Sequence, residues 1–210
     1  MNKKEYNIED KKKYEKLFYD KGQILVGGAD EVGRGPLAGP VVCAAVIMPH
    51  DCNIIGIDDS KKLSEKKREM LYDEILKQAI AYDIEYVFQD VIDEINILEA
   101  TKLCMSRAIN NLKVKPDVVL VDALKGLDTS CKTEAIIRGD ALSYNIGAAS
   151  IIAKVSRDRF MKELDLQYPK YGFEKNKGYG TKAHMDALRQ FGPCPVHRKS
   201  FIGFLENEHE

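Results

Sequence analysis

Apolar positions along the chain recur with two different periods. Ile24-Leu25-Val26 and Val41 to Met48 are short apolar runs, and Ala81 to Phe88 alternates apolar with polar residues, so each predicts a strand. Pro116-Asp117-Val118-Val119-Leu120-Val121-Asp122 is a further apolar run closed by an acid, the pattern of a buried central strand whose last residue emerges at the sheet edge. Ala135 to Ile137 predicts one more strand. Between these the spacing is helical: Glu9 to Tyr19 with Tyr14, Leu17 and Phe18, the stretch after Ser64 with Met70, Leu71, Ile75 and Leu76, and Ile92 to Leu112. Gly139-Asp140 opens a long predicted helix through about Leu166, whose small residues Gly147, Ala148, Ala149, Ser150 and Ala153 allow close packing onto a sheet. Strands alternating with helices, then a helical C-terminal third, predict an α/β fold with one mixed central sheet. Strand order does not follow from the pattern.

The 210 residues are enough for one well-buried core, and 44% hydrophobic with 31% charged residues is ordinary for a globular domain. We expect one domain over residues 22–210, preceded by a helical extension over residues 1–21. No apolar run approaches the roughly 18 residues that span a bilayer. Met1-Asn2-Lys3-Lys4-Glu5-Tyr6 has no apolar signal-peptide segment, so a cytoplasmic protein without membrane association is expected. Cys43, Cys52, Cys104, Cys131 and Cys194 are odd in number and lack C-x-x-C spacing, which disfavours a disulfide framework and a structural zinc site. His50, His184, His197 and His209 show no i, i+4 pair of the zinc-helix type. Any metal should therefore be held by oxygen.

Charge changes the picture through its distribution. The net charge is -1, but residues 151–200 hold eleven Lys and Arg against five Asp and Glu. That asymmetry is compatible with a basic surface beside an acidic site.

The acids stand at informative places. Asp30 and Glu31 run directly into Gly33-Arg34-Gly35-Pro36, Asp122 closes the central strand, and Asp140 opens a helix. Neighbouring strand residues point to opposite faces, so Asp30 and Glu31 share a site only if the backbone leaves regular strand geometry there. Gly33 and Gly35 permit such a departure, and Arg34 supplies a planar donor for phosphate or sugar oxygens. Each acid also has a plain structural reading: Asp30-Glu31 as a solvated turn, Asp122 as a cap before Lys125-Gly126, Asp140 as a helix N-cap. Gathered at one end of a sheet, four carboxylates would repel one another unless a divalent cation such as Mg2+ or Mn2+ neutralised them. Two such ions can activate a water and stabilise the leaving oxygen of a phosphodiester.

Gly28-Ala29-Asp30-Glu31-Val32-Gly33-Arg34-Gly35-Pro36-Leu37-Ala38-Gly39-Pro40 closely resembles the opening motif of the bacterial ribonuclease HII family. The resemblance continues through Asp59-Ser60-Lys61-Lys62-Leu63-Ser64, Val119 to Ala123, Gly139-Asp140-Ala141, Ala148 to Arg159, and Gly178-Tyr179-Gly180-Thr181, in the family's order. It covers roughly residues 22–201 and implies a ribonuclease H-like fold. It further implies that Asp30, Glu31, Asp122 and Asp140 hold two catalytic Mg2+ or Mn2+ ions. The backbone of Gly33, Arg34 and Gly35 would sense the ribose 2'-hydroxyl, Tyr179 would stack on the neighbouring sugar, and Lys61 and Ser64 would lie near substrate phosphates. The implied partners are RNA/DNA hybrids and duplex DNA containing ribonucleotides, cut 5' of the ribonucleotide, by an enzyme expected to act as a monomer.

Three positions depart from the family pattern. Ala29 stands where a larger aliphatic residue is usual, and Ser143-Tyr144-Asn145-Ile146-Gly147 replaces the usual Ser-x-Ser-Ile-Ala. Gly147 costs roughly 1 kcal/mol of helix propensity relative to alanine. A rival reading takes Gly33-Arg34-Gly35-Pro36-Leu37-Ala38 as a dinucleotide-binding G-x-G-x-x-A, but that fingerprint should open a helix, and a strand-like run follows. A nucleic-acid binding module with a vestigial site is the other alternative, and retention of all four acids disfavours it.

Overall fold

A computed structural model describes residues 7–207. The first six residues of the expected N-terminal extension, and His209, lie outside the described residues. Five strands form one sheet in the order β3-β2-β1-β4-β5: β1 (Val26–Val32), β2 (Val41–Ile47), β3 (Ala81–Val87), β4 (Val118–Asp122) and β5 (Lys132–Ile136). The β1–β2 and β2–β3 pairs are antiparallel, whereas β1–β4 and β4–β5 are parallel, so the sheet is mixed as predicted. The helices are α1 (Ile8–Lys11), α2 (Lys13–Tyr19), α3 (Glu65–Gln78), α4 (Gln89–Asn110), α5 (Gly139–Leu142), α6 (Tyr144–Gln167), α7 (Phe173–Asn176), α8 (Lys182–Phe191) and α9 (Phe204–Asn207).

Strand alternation divides β2 between two cores, which is why all seven of its residues are buried. Val41, Cys43, Ala45 and Ile47 pack with Cys104, Met105 and Ala108 of α4, while Ala44 and Val46 pack with Ala148, Ala149 and Ile152 of α6. Helix α6 packs directly on the sheet at Gly28, where any Cβ would overlap the Asn145 backbone. Small residues on both elements make that approach possible, and the Asn145 side-chain amide donates to the Val26 carbonyl at 2.8 Å. A third cluster joins the end of α6 to the C-terminal helices through Met161, Phe173, Ala187 and Leu188. No helix among the described residues is long and apolar enough to cross a membrane.

Several predicted boundaries are corrected. Strand β1 does not stop at Val26 but runs to Val32, so the backbone keeps strand geometry through Asp30 and Glu31. The long helix expected from Gly139 is two helices, because Ser143 is extended (φ -112°, ψ 136°) and caps α6 by accepting from the Ile146 N–H. The expected helix from Glu9 to Tyr19 divides at Lys12. Helix α4 begins at Gln89 rather than Ile92 and turns at Asn96 (φ 67°), whose Oδ1 accepts from the N–H groups of Leu98 and Glu99. The breaks at Asn96 and Ser143 each use a polar side chain to satisfy backbone donors locally, a choice that hydrophobic spacing does not report.

Candidate active site

Three of the four predicted acids meet at one end of the sheet. Side chains on β1 alternate, so Ala29 faces the α4 core and Asp30 faces α6; on β4, Val121 faces α4 and Asp122 shares the face of Asp30. The parallel pairing of β1 and β4 brings their C-terminal ends together, and the four-residue helix α5 places Asp140 beside them. Carboxylate oxygens of Asp30, Asp122 and Asp140 lie within 4.8 Å of one another. Local donors orient all three: Asp30 accepts from the Glu31 N–H at 2.8 Å, Asp122 from the Gly139 N–H at 2.7 Å, and Asp140 from the Ala141 N–H at 2.8 Å.

Glu31 stands apart from that trio. Regular strand geometry turns it to the other face of β1, where Arg34 Nη1 lies 3.5 Å from its carboxylate. The expected departure from strand geometry is thus absent, although Glu31 stays within electrostatic reach of Asp122. Burial, then the charges of Glu31 and Asp122, push the Asp30 carboxyl well above the usual carboxylate range. Asp122 is raised by burial and by Asp140, against the Gly139 N–H, which lowers it. Glu31 is raised by burial, with Arg34 opposing. Burial would lower the Lys61 ammonium, but the fields of Asp30, Asp140, Asp59 and Asp122 outweigh it and raise it. Lys61 is therefore an exposed cation beside an anionic cleft. The donor set fits a hard divalent cation: it is made of carboxylate oxygens alone, and its members repel one another without a counter-charge.

The glycine-rich loop after β1 rests on two arginines that are fully buried, Arg157 and Arg198. Arg157 donates to the carbonyls of Pro40 (2.9 Å), Ala38 (3.2 Å) and Lys177 (2.9 Å), and Arg198 to those of Gly33, Arg34 and Gly39. Burial draws the two guanidiniums down, to about 10 and about 9, leaving both charged at neutral pH. Gly33 has φ +94°, and any Cβ there would overlap Arg157 Nε, so backbone and packing both demand glycine. Part of the positive charge of residues 151–200, expected on a surface, is thus internal and holds this loop.

Tyr179 stands beside Gly35, where a Cβ would sit 3.7 Å from the Tyr179 ring, and its own ring is partly exposed. A chain of hydrogen bonds fixes it from below. The Cys194 N–H donates to His197 Nδ1 at 2.9 Å, His197 Nε2 lies 3.0 Å from His184 Nε2, and His184 Nδ1 lies 2.9 Å from the Tyr179 carbonyl. With both rings neutral every donor meets an acceptor, and burial accordingly pulls His197 down to about 4. Sequence reading missed Arg198 and both histidines as site supports, because only the fold brings them under the loop.

The remaining predicted residues are placed as follows. Ser64 is the exposed N-cap of α3 and accepts from the Lys67 N–H at 3.3 Å. Asn145 is spent on β1, as described, and Gly147 is crowded: a Cβ there would stand 3.0 Å from Ile57 and 3.2 Å from the Asp140 carbonyl. The propensity cost of Gly147 is offset by close packing next to α5. Ala29 is fully buried against the α4 core.

The sequence model of the ribonuclease HII family matches residues 27–203. The ribonuclease HII of Bacillus subtilis (strain 168) is 57% identical over 189 residues, spanning 90% of this chain and 73% of the relative. Among solved structures, the ribonuclease H2 from Pyrococcus horikoshii OT3 superposes with a TM-score of 0.75 at 28% identity, over 87% of this chain and 97% of that one. Bst-RNase HIII in complex with Mn2+ shares the fold at a TM-score of 0.66 and 19% identity, over 81% of this chain and 63% of that one. With similarity running through nearly every element that carries the acids and the glycine-rich loop, the chain belongs to the ribonuclease HII family, type 2 ribonucleases H that are metal-dependent endonucleases acting on RNA/DNA hybrids.

Proposed function

We propose that this endonuclease cuts the RNA strand of hybrids and also cuts duplex DNA on the 5' side of an embedded ribonucleotide, leaving a 3'-hydroxyl and a 5'-phosphate. The observation that carries the reading is the convergence of Asp30, Asp122 and Asp140 within 4.8 Å, next to a loop and an aromatic ring suited to a ribose. These three acids would hold the divalent ions, Mg2+ or Mn2+, with Glu31 completing the anionic field from the other face of β1. Bound as a pair, the ions would supply a water activated for attack on phosphorus and stabilisation of the leaving oxygen. The chain's own groups do the rest. Lys61 presents a cation to a substrate phosphate, and Ser64 offers a hydroxyl at the start of α3, contacts that position a backbone without reading sequence. Gly33, Arg34 and Gly35 bring backbone close to the sugar, while Tyr179 supports its neighbour by stacking.

The test is cleavage of a duplex carrying one ribonucleotide, beside an all-DNA control, with and without Mg2+ or Mn2+. The expected outcome is a cation-dependent cut 5' of the ribonucleotide and no cut in the control. Products bearing a 2',3'-cyclic phosphate would show that the ribose was the nucleophile and would overturn the reading.

A further inference from the structure

Arg198 lies outside the carboxylate cluster, yet it is fully buried and spends its guanidinium on backbone. Nε donates to the Gly39 carbonyl at 3.0 Å, Nη2 to those of Gly39 at 2.8 Å and Gly33 at 2.6 Å, and Nη1 to that of Arg34 at 2.9 Å. Holding a cation away from water among neutral carbonyls is costly, so the arrangement asks for a return beyond packing.

Peptide geometry supplies one. The described residues contain no cis peptide bond, and in a trans peptide the carbonyl of one residue points opposite to the N–H of the next. Drawing the carbonyls of Gly33 and Arg34 inward onto Arg198 therefore turns the N–H groups of Arg34 and Gly35 outward. Both residues are exposed, and no described group accepts from either N–H. Pro36 follows and has no N–H, so the outward face of the loop offers two adjacent donors and then stops. The Tyr179 ring adjoins Gly35, and Arg157 joins the two segments by donating to the carbonyls of Ala38 and Lys177.

We propose that Arg198 is a positioning residue for ribose recognition, fixing the Arg34 and Gly35 N–H groups as paired donors to the 2'-hydroxyl oxygen beside Tyr179. The proposal rests on the reading of the loop given under the proposed function. A planar fork whose separate nitrogens reach three carbonyls at once is what the role needs, and a lysine ammonium cannot span them.

The experiment compares Arg198→Lys with Gly35→Val. For each, kcat/KM is measured at a single embedded ribonucleotide, Kd for all-DNA duplex, and the fold by circular dichroism. Arg198→Lys is expected to lose tenfold or more in kcat/KM at the ribonucleotide while all-DNA affinity stays within twofold. Equal losses in both, or none, would overturn the role of Arg198. If Gly35→Val loses ribonucleotide cleavage while Arg198→Lys keeps it, the loop reading stands and this inference falls; if neither loses it, the loop reading itself fails. Should Arg198→Lys not fold, amide hydrogen exchange of the wild-type protein decides: fast exchange at Arg34 and Gly35 is expected from outward N–H groups, and protection there would overturn the proposal.

Discussion

Asp30 is a carboxylate that works against the fold holding it. It is buried and faces Asp122, so without a cation its ionised form is penalised first by desolvation and then by like charge. The sign of the pH effect follows. Its pKa in the folded protein lies above the unfolded value, so its contribution to stability is fullest below the unfolded pKa and is lost as pH rises through the folded pKa. Cation-free Asp30→Asn should therefore unfold at a higher temperature than the wild type at neutral pH, with the gap closing under acid conditions. Added Mn2+ should raise the wild-type midpoint and leave the variant nearly unmoved. Thermal scans in chelator and in Mn2+ check this, and a wild type unaffected by Mn2+ would speak against a cation site at Asp30. The grouping of Asp30, Asp122 and Asp140 was legible from sequence because Asp122 closes a strand, Asp140 opens a helix and Asp30 lies near the end of β1. The orientation of Glu31 was not, since it depends on whether β1 continues for two more residues, and pairing with β2 through Val32 decides that.

At the scale of elements, the break at Ser143 organises the site. A continuous helix from Gly139 would carry Asp140 along the α6 axis, whereas the break lets α5 turn Asp140 toward Asp122. Two residues of the N-terminal helices hold that junction. Lys11 Nζ donates to the Ala141 carbonyl and to Asp58, and the buried Glu15 accepts from Ser143 Oγ at 2.6 Å and from the Asn145 N–H at 2.9 Å. A segment that spacing marks only as a helix is thus part of the support for Asp140, an acid of the candidate site. Its Glu15 is the signal that was missed, because an acid that caps a helix far away in sequence looks like any solvated charge. Glu15→Ala should lower the unfolding free energy by about 1–3 kcal/mol and raise the cation concentration for half-maximal cleavage. Glu15→Gln keeps the acceptor and removes a buried charge that desolvation already pushes toward its neutral form, so it should stay near the wild type. Denaturant titration and cation titration of both variants test this, and an alanine variant equal to the wild type in both would remove the junction from the account.

For the molecule as a whole, hydrophobic period was enough to predict a mixed α/β sheet with helices on it and a helical C-terminal third. Strand order was not legible, because β2 and β4 flank β1 through contacts that no local pattern encodes. The charge map was partly misleading for a physical reason: Arg157 and Arg198 count toward the basic C-terminal third but serve as internal scaffolding under the glycine-rich loop. The result is a division of labour. The sheet end carries the acids, and the buried arginines and histidines fix the loop and the ring beside them.

The central claim is that Asp30, Asp122 and Asp140 hold the ions that carry out hydrolysis. The most direct measurement is the rate of cleavage at one embedded ribonucleotide for the wild type and Asp122→Asn, titrated with Mn2+ after removal of cations by chelator, with circular dichroism on the same preparations. The account predicts no wild-type cleavage in chelator, recovery on adding Mn2+, and a folded Asp122→Asn that is slower by about two to three orders of magnitude or more, the scale of losing one group that stabilises transition-state charge. Full wild-type cleavage in excess chelator, or an Asp122→Asn rate equal to that of the wild type, would contradict it.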